Sequence, residues 1–265
     1  MTPAFHDAAT LARLRALVAA SDPDGPPSTL LIRAPADANP RRLAYLAGSF
    51  NPPHTAHLAL LESAERDVPI DATLLVHSAR TVDKERLYGL CLVDRLLLMS
   101  LLVEGAPGRG VALVNRGLYA DQIDALLARW PSLESIYVIV GYDKLVQILD
   151  PRYYTDRDAA LERLFGRAML LVAPRAGAGA GEIETLLAAP ANRAYGDRIR
   201  LLSLEQPYAE VSSTAVRERL AGGLATDPDL PEVVRAFVVE TGAYEPGDRY
   251  ARRMAWIDAL VGDQP

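Results

Sequence analysis

The stretch Leu43-Ala44-Tyr45-Leu46-Ala47-Gly48-Ser49-Phe50-Asn51-Pro52-Pro53-His54-Thr55-Ala56-His57 decides how this chain is read. Its first five residues form a short apolar run suited to a buried strand, and Thr55 to Arg66 carries Leu58, Leu61 and Glu62 at helical spacing. Between the two, Gly48 lets the backbone leave the strand without a Cβ clash, Pro52 and Pro53 stiffen the turn, and Thr55 is placed to cap the helix. His54 and His57 then fall at the positive end of the helix dipole. Neutral or protonated, each can offer an N–H to a phosphate oxygen, and free amides of the first turn point the same way. A single histidine at a helix start is ordinarily a cap or a surface residue, so the pair alone leaves that reading open.

From Leu43 onward, strand-like and helix-like segments alternate, the pattern of a Rossmann-like α/β fold with a doubly wound parallel sheet covered on both faces. The strands are expected at 43–47, 73–78, 111–115, 135–140, 168–173 and 199–204, with helices in the gaps, including 91–103, 121–130 and 213–220. In such a sheet, ligands collect at the carboxyl ends of the strands. Two further segments stand there. Val211-Ser212-Ser213-Thr214-Ala215-Val216-Arg217 places hydroxyls at a helix start and an arginine one turn later; Ser213 or Thr214 can cap the helix while Arg217 forks two oxygens of one anion. The strand 135–140 runs into Gly141-Tyr142-Asp143-Lys144-Leu145, where Asp143 can equally be a helix N-terminal charge.

These segments resemble the signatures of the nucleotidylyltransferase superfamily. The first is similar to its G-[ST]-F-[DN]-P-x-H-x-G-H turn, whose histidines contact ATP phosphates, with Ala56 in place of glycine; a methyl group there can narrow the approach of a phosphate to the backbone. The second is similar to I-S-S-T-x-[IV]-R, with Val211 for isoleucine, and the third to the G-x-D-x-[LFV] turn of the nicotinamide/nicotinate-mononucleotide adenylyltransferase family. The resemblance runs from about Leu43 to Tyr244, including Leu149-Asp150-Pro151-Arg152-Tyr153-Tyr154 and the closing helix near 231–244. It implies His54, His57 and Arg217 as catalytic residues, Gly48, Ser49, Phe50, Ser213 and Thr214 around the ATP phosphates, and Gly141 and Asp143 at the adenosine. Lys84, Arg95, Tyr153, Tyr154 and Arg175 are its candidates for the mononucleotide. Surface charge for Lys84 and Arg95, and core packing for the tyrosines, are the plainer readings. The implied activity is adenylyl transfer from ATP, carried with Mg²⁺, to a pyridine mononucleotide. Likeness to eukaryotic-type members favours the amide over the acid.

Composition frames this reading. The chain has 265 residues, 50% of them hydrophobic and 23% charged, which suits one elaborated soluble domain at 41–265 behind an N-terminal helical extension and loop at 1–40. A net charge of −6 provides no broad cationic surface for nucleic acid or anionic lipid. Cys91, the sole cysteine, stands inside an apolar helical pattern and excludes an internal disulfide, and no run approaches the ~18 to 20 apolar residues of a membrane span. A cytoplasmic protein, with a homo-oligomer left open, is the expectation.

Two alternatives come from other classes. Gly177, Gly179 and Gly181 follow a strand and precede a helix, imitating the fingerprint of an NAD(P)-binding oxidoreductase, although the spacing is G-x-G-x-G. Ala56 suggests a catalytically dead nucleotide-binding module. A metal-hydrolase reading of His54 and His57 lacks a third nearby ligand, since His77 sits on another strand.

Overall fold

In the computed structural model the alternation becomes a seven-stranded sheet with helices on both faces; residues 5–79, 89–174, 179–204, 208–222 and 229–260 are described. The strands are β1 (Thr29–Arg33), β2 (Arg42–Ala47), β3 (Ala72–Ser78), β4 (Arg109–Val114), β5 (Ser135–Gly141), β6 (Ala168–Ala173) and β7 (Ile199–Leu201), in the order β1-β4-β3-β2-β5-β6-β7. All neighbours are parallel except β1, which pairs antiparallel with β4. The helices are α1 (Ala8–Ala19), α2 (Thr55–Asp67), α3 (Leu92–Leu102), α4 (Tyr119–Arg129), α5 (Tyr142–Leu149), α6 (Arg157–Phe165), α7 (Ala180–Ala188), α8 (Ser213–Ala221), α9 (Glu232–Thr241) and α10 (Arg249–Ala259).

The central strands are apolar throughout because both of their faces are covered. Along β2, Ala44 and Leu46 face one core with Leu75, Val111, Leu113 and Ile139, packed under α1, α2, α3, α9 and α10. Leu43 and Tyr45 face the other with Leu74, Val76, Val138 and Leu170, under α4, α5, α6 and α7. The period of two thus divides one strand between two cores.

Three details differ from the sequence reading. Thr29–Arg33, inside the stretch assigned to an N-terminal extension and loop, is a strand of the sheet; its apolar triplet Leu30-Leu31-Ile32 is short, and nearby prolines hide the signal. The last strand stops at Leu201 rather than continuing to 204. Cys91 is the N-cap of α3 rather than an interior residue, and its N–H donates to the Tyr250 hydroxyl at 2.9 Å. No helix among the described residues is long and apolar enough to cross a membrane.

The C-terminal helices are fastened to α3 by a buried ion pair. Arg253 grips Asp94 through Nε at 3.0 Å and Nη2 at 2.7 Å, with side-chain exposures of 4% and 0%, and Tyr250 donates to the same carboxylate at 2.9 Å. The Arg253 guanidinium also lies 5.0 Å from the centre of the Phe237 ring on α9. Removing one partner of such a pair leaves a buried charge uncompensated. Arg253→Met should therefore lower unfolding free energy by about 3–5 kcal/mol, read from the midpoint of urea denaturation at unchanged slope.

Candidate functional site

The strand order reverses between β2 and β5: β3 and β4 build outward on one side of β2, and β5, β6 and β7 on the other. Loops leaving these two neighbours diverge and open a crevice at the carboxyl edge of the sheet. The 48–54 loop leaves β2 there, and the turn at Gly141 ends β5 beside it.

The first loop is pinned atom by atom. The Gly48 N–H donates to the Val76 carbonyl at 3.1 Å, and the Gly48 carbonyl accepts from His77 Nδ1 at 3.0 Å. A carbonyl only accepts, so His77 carries its proton on Nδ1; burial, with the nearby Arg95 charge, brings its pKa down to about 4 and keeps the ring neutral. Phe50 takes a positive φ of 47°, and its ring is fully buried, 4.9 Å from the His57 ring centre. Asn51 is 3% exposed: its side-chain oxygen accepts from the Leu90 N–H at 2.9 Å and the Tyr244 hydroxyl at 2.7 Å. Gly89 is glycine because a Cβ there would overlap that oxygen, at a φ of 115° that side chains avoid.

His54 is the N-cap of α2, in extended conformation, and its N–H donates to His57 Nδ1 at 3.0 Å while the two rings stack at 3.7 Å. Burial lowers the His54 pKa to about 4; burial, and then the neighbouring His54, holds His57 well below the usual imidazole value. Both rings are neutral. Because Nδ1 of His57 accepts a hydrogen bond, its proton sits on Nε2, the donor it can present. His54 Nδ1 is buried and has no hydrogen-bond partner among the described residues, an arrangement that costs about 1–3 kcal/mol.

The second motif folds onto the first. Ser213 Oγ donates to the Pro52 carbonyl at 3.1 Å, and Arg217 Nη1 donates to the Asn51 carbonyl at 2.7 Å while Nη2 donates to Thr214 Oγ1 at 3.1 Å. Segments some 160 residues apart thus share one cluster of histidines, hydroxyls and a guanidinium. Its caps differ from expectation. Ser212, not Ser213 or Thr214, caps α8 by accepting from the Ala215 N–H at 3.2 Å, which leaves the next hydroxyl to reach Pro52. Thr55 is the first helical residue, not the cap: its N–H and hydroxyl both donate to the Asp229 carbonyl, and the His57 N–H is taken by the His54 carbonyl. Those two first-turn amides are therefore already committed. Ala56 is buried at 4% exposure.

The remaining candidates separate. Gly141 caps α5, and a Cβ at its position would meet no atom of the described residues within 4 Å, while Asp143 stands exposed in that helix's first turn. Arg95 is not a solvated surface charge. It is buried and donates from Nε to the Leu90 carbonyl at 2.7 Å and from Nη1 to that of Ser49 at 3.3 Å, so it braces the 48–54 loop. Tyr154 packs on the α5 side of the sheet and donates to the Ile148 carbonyl at 2.7 Å, whereas Tyr153 is 63% exposed. Lys84, Arg175 and Gly177 lie outside the described residues. A cleft of about 710 Å³ between Leu149, Arg157, Leu186 and Asn192 is lined in part by the Leu149-Asp150-Pro151 stretch and shares no residue with the 48–57, 141–145 or 211–217 segments. Sequence reasoning missed Asn51, His77, Gly89 and Tyr244 as site-builders; Asn51 lies inside the quoted motif, but nothing local reveals its distant partners.

Comparison with known proteins places the fold and the family. A family model described as cytidylyltransferase-like matches residues 45–219. A probable nicotinate-nucleotide adenylyltransferase of Bordetella avium is 33% identical over 211 residues, 78% of this chain and 99% of the relative; one from Dehalococcoides mccartyi is 28% identical, covering 77% and 97%. In fold, the chain resembles Plasmodium falciparum nicotinic acid mononucleotide adenylyltransferase complexed with NaAD, with TM-score 0.57 and 14% identity over 77% of this chain and 97% of that one.

The depressed imidazole pKa values fix a pH dependence. Between the folded value of about 4 for His54 and His77 and the ordinary 6.5, the unfolded chain holds protons that the folded one refuses. Their contribution is therefore complete above pH 6.5 and is lost as pH falls toward 4, by at most about 3 kcal/mol for each ring. Urea unfolding at a series of pH values should show this decline. His54→Gln should make it shallower; an unchanged slope would mean that His54 is not held neutral.

Proposed function

The chain belongs to the cytidylyltransferase-like family and, within it, with the nicotinate-nucleotide adenylyltransferases, and on that premise we propose how its residues carry out adenylyl transfer from ATP to a pyridine mononucleotide, releasing pyrophosphate. The observation that carries the assignment of residues is the convergence of His54, His57, Ser213, Thr214 and Arg217 on one loop at the crevice between β2 and β5.

The mononucleotide's 5′-phosphate attacks the α-phosphorus of ATP in line, and the bond to the bridging oxygen of pyrophosphate breaks. A phosphate monoester has a second pKa near ~6, so the nucleophile is already ionised at neutral pH and needs no general base. The protein's task is to align two polyanions and to meet charge growing on the bridging oxygen. In this reading the N–H groups of His54 and His57 hold the reacting phosphates. Neutral donors suit that role, since they need not give up or take a proton during transfer. Ser213, Thr214 and Arg217 hold the departing pyrophosphate; a guanidinium has five N–H groups and can brace the Asn51 carbonyl and fork a phosphate together. The open space over Gly141 admits a purine against bare backbone, and Asp143 next to it is placed to accept from a ribose hydroxyl. Mg²⁺ carried with ATP would supply neutralisation of charge on its phosphates. The loop's own donors, N–H groups and a guanidinium, suit phosphate oxygens rather than a cation. A cytoplasmic location is part of the same proposal.

For the acceptor we favour the acid, nicotinate mononucleotide, the substrate for which the relatives are named, over the amide favoured by sequence likeness alone. Arg152 and Arg157 are not its readers. Arg152 is paired with Asp150 at 2.6 Å, and Arg157 is occupied by the Leu149 and Ala191 carbonyls, Asp158 and Asn192. The oxidoreductase reading loses its site as well: Glu182 accepts from the Gly179 N–H at 2.8 Å, placing a carboxylate where a pyrophosphate would have to sit.

Purified protein with ATP, Mg²⁺ and nicotinate mononucleotide should release pyrophosphate and form the dinucleotide. In competition, the acid should exceed the amide by about tenfold or more in kcat/KM, ~1.4 kcal/mol of discrimination; parity would return the choice to the amide. His57→Ala should lower kcat by about 10² to 10³ with the fold retained, as expected for loss of a preorganised donor to developing charge. Normal turnover in that variant would remove His57 from the site.

A further inference from the structure

Among the described residues only two besides glycine hold a positive φ, Phe50 at 47° and Tyr244 at 70°, and they are nearly 200 residues apart in sequence. They meet at one side chain. Asn51, next to Phe50, receives the Tyr244 hydroxyl at 2.7 Å in a buried contact. Residues held in sparsely populated backbone regions persist where the surroundings over-determine them, and such places cluster at functional sites. Tyr244 is itself buried at 6% exposure, follows the left-handed Gly242 that ends α9, and sits within the fields of Arg95, Arg217 and Asp94. Each of those arginines also grips the phosphate loop, at the carbonyls of Ser49 and Asn51 respectively.

We propose that Tyr244 is a positioning residue for adenylyl transfer: by donating to Asn51, its hydroxyl fixes the turn that sets the rotation of the His54–His57 pair. This rests on the adenylyltransferase reading above. The geometry allows little slack. Asn51 is three residues from His54, its carboxamide oxygen accepts from both the Leu90 amide and the Tyr244 hydroxyl, and its main-chain carbonyl is held by Arg217. Losing the hydroxyl removes one buried hydrogen bond from Asn51, on a loop whose Phe50 already sits in an unfavourable conformation. The loop can then relax by a fraction of an ångström, enough to spoil in-line alignment without emptying the site. Turnover should suffer more than ATP binding.

The test is Tyr244→Phe, which removes one oxygen and keeps the ring. Its kcat should fall by about 10- to 30-fold with KM for ATP within about threefold, and its thermal transition should stay cooperative within a few degrees of wild type. Tyr244→Phe placed on Asn51→Ala should cost nothing beyond Asn51→Ala alone, because both remove the same contact. A readout independent of turnover is the ¹H–¹⁵N spectrum of the imidazoles: the Nε2–H form of His57 should be a single sharp species in wild type and shifted or broadened in Tyr244→Phe. Wild-type kcat in Tyr244→Phe, a loss expressed only in KM, fully multiplicative effects in the double variant, or an unchanged His57 signal would each overturn the inference. If wild type itself makes no dinucleotide from either mononucleotide, the adenylyltransferase reading fails, and the His57 signal still decides whether Tyr244 sets the histidine pair.

Discussion

Burying a main-chain turn commits the protein to satisfying every polar group on it, and at Asn51 that requirement organises the whole site. The residue is almost fully enclosed, with a carbonyl and a carboxamide oxygen that both need donors. They come from Arg217 on α8, from the Leu90 amide ahead of α3, and from Tyr244 after α9. Three parts of the chain that share no local sequence signal must therefore be in place before the loop can hold its shape. A site built this way is expensive to distort and well suited to a reaction whose main demand is alignment.

Electrostatics complements this rigidity. The histidine pair sits at the start of α2, desolvated and neutral, with one ring nitrogen of His57 committed to the His54 amide. What remains to face a polyanion is an N–H on a fixed ring, supported by a guanidinium that is always charged and by hydroxyls that can rotate. Arg217 places a fixed positive charge against the same loop, through the Asn51 carbonyl at 2.7 Å, in a chain whose net charge is −6.

The C-terminal helices belong to this machinery through α3. Arg253 and Tyr250 secure Asp94 in the first turn of that helix, Tyr250 also takes the Cys91 amide, and Arg95 one residue on reaches back to the phosphate loop. A buried ion pair of this kind gains little net stability over an apolar substitute. Its value here is directional, since it fixes which face of α3 turns toward the loop. Through it the C-terminal helices bear on the loop at the sheet's carboxyl edge, which the chain after α9 also reaches with Tyr244.

Much of this was legible in the sequence, and the boundary of legibility is physical. The turn from Ala47 to His57, the alternation of apolar strands with helices, and the Ser213–Arg217 and Gly141–Asp143 segments are local patterns. Backbone propensity, period-two and period-3.6 spacing, and donor chemistry fix such patterns without reference to the rest of the chain. β1 escaped because five residues between prolines carry too little periodicity, and its place was settled only by the open edge of β4. Arg95 looked like a surface charge because charge is usually solvated, and only packing showed it buried against two carbonyls. The cap at Ser212, the commitment of the Thr55 amide to Asp229, and the hold of Tyr244 on Asn51 were likewise beyond reach. The sequence by itself determined which groups could meet a phosphate; the tertiary structure decided which of them are spent holding the loop, because a buried polar atom takes its partner from whatever the fold brings within 3 Å.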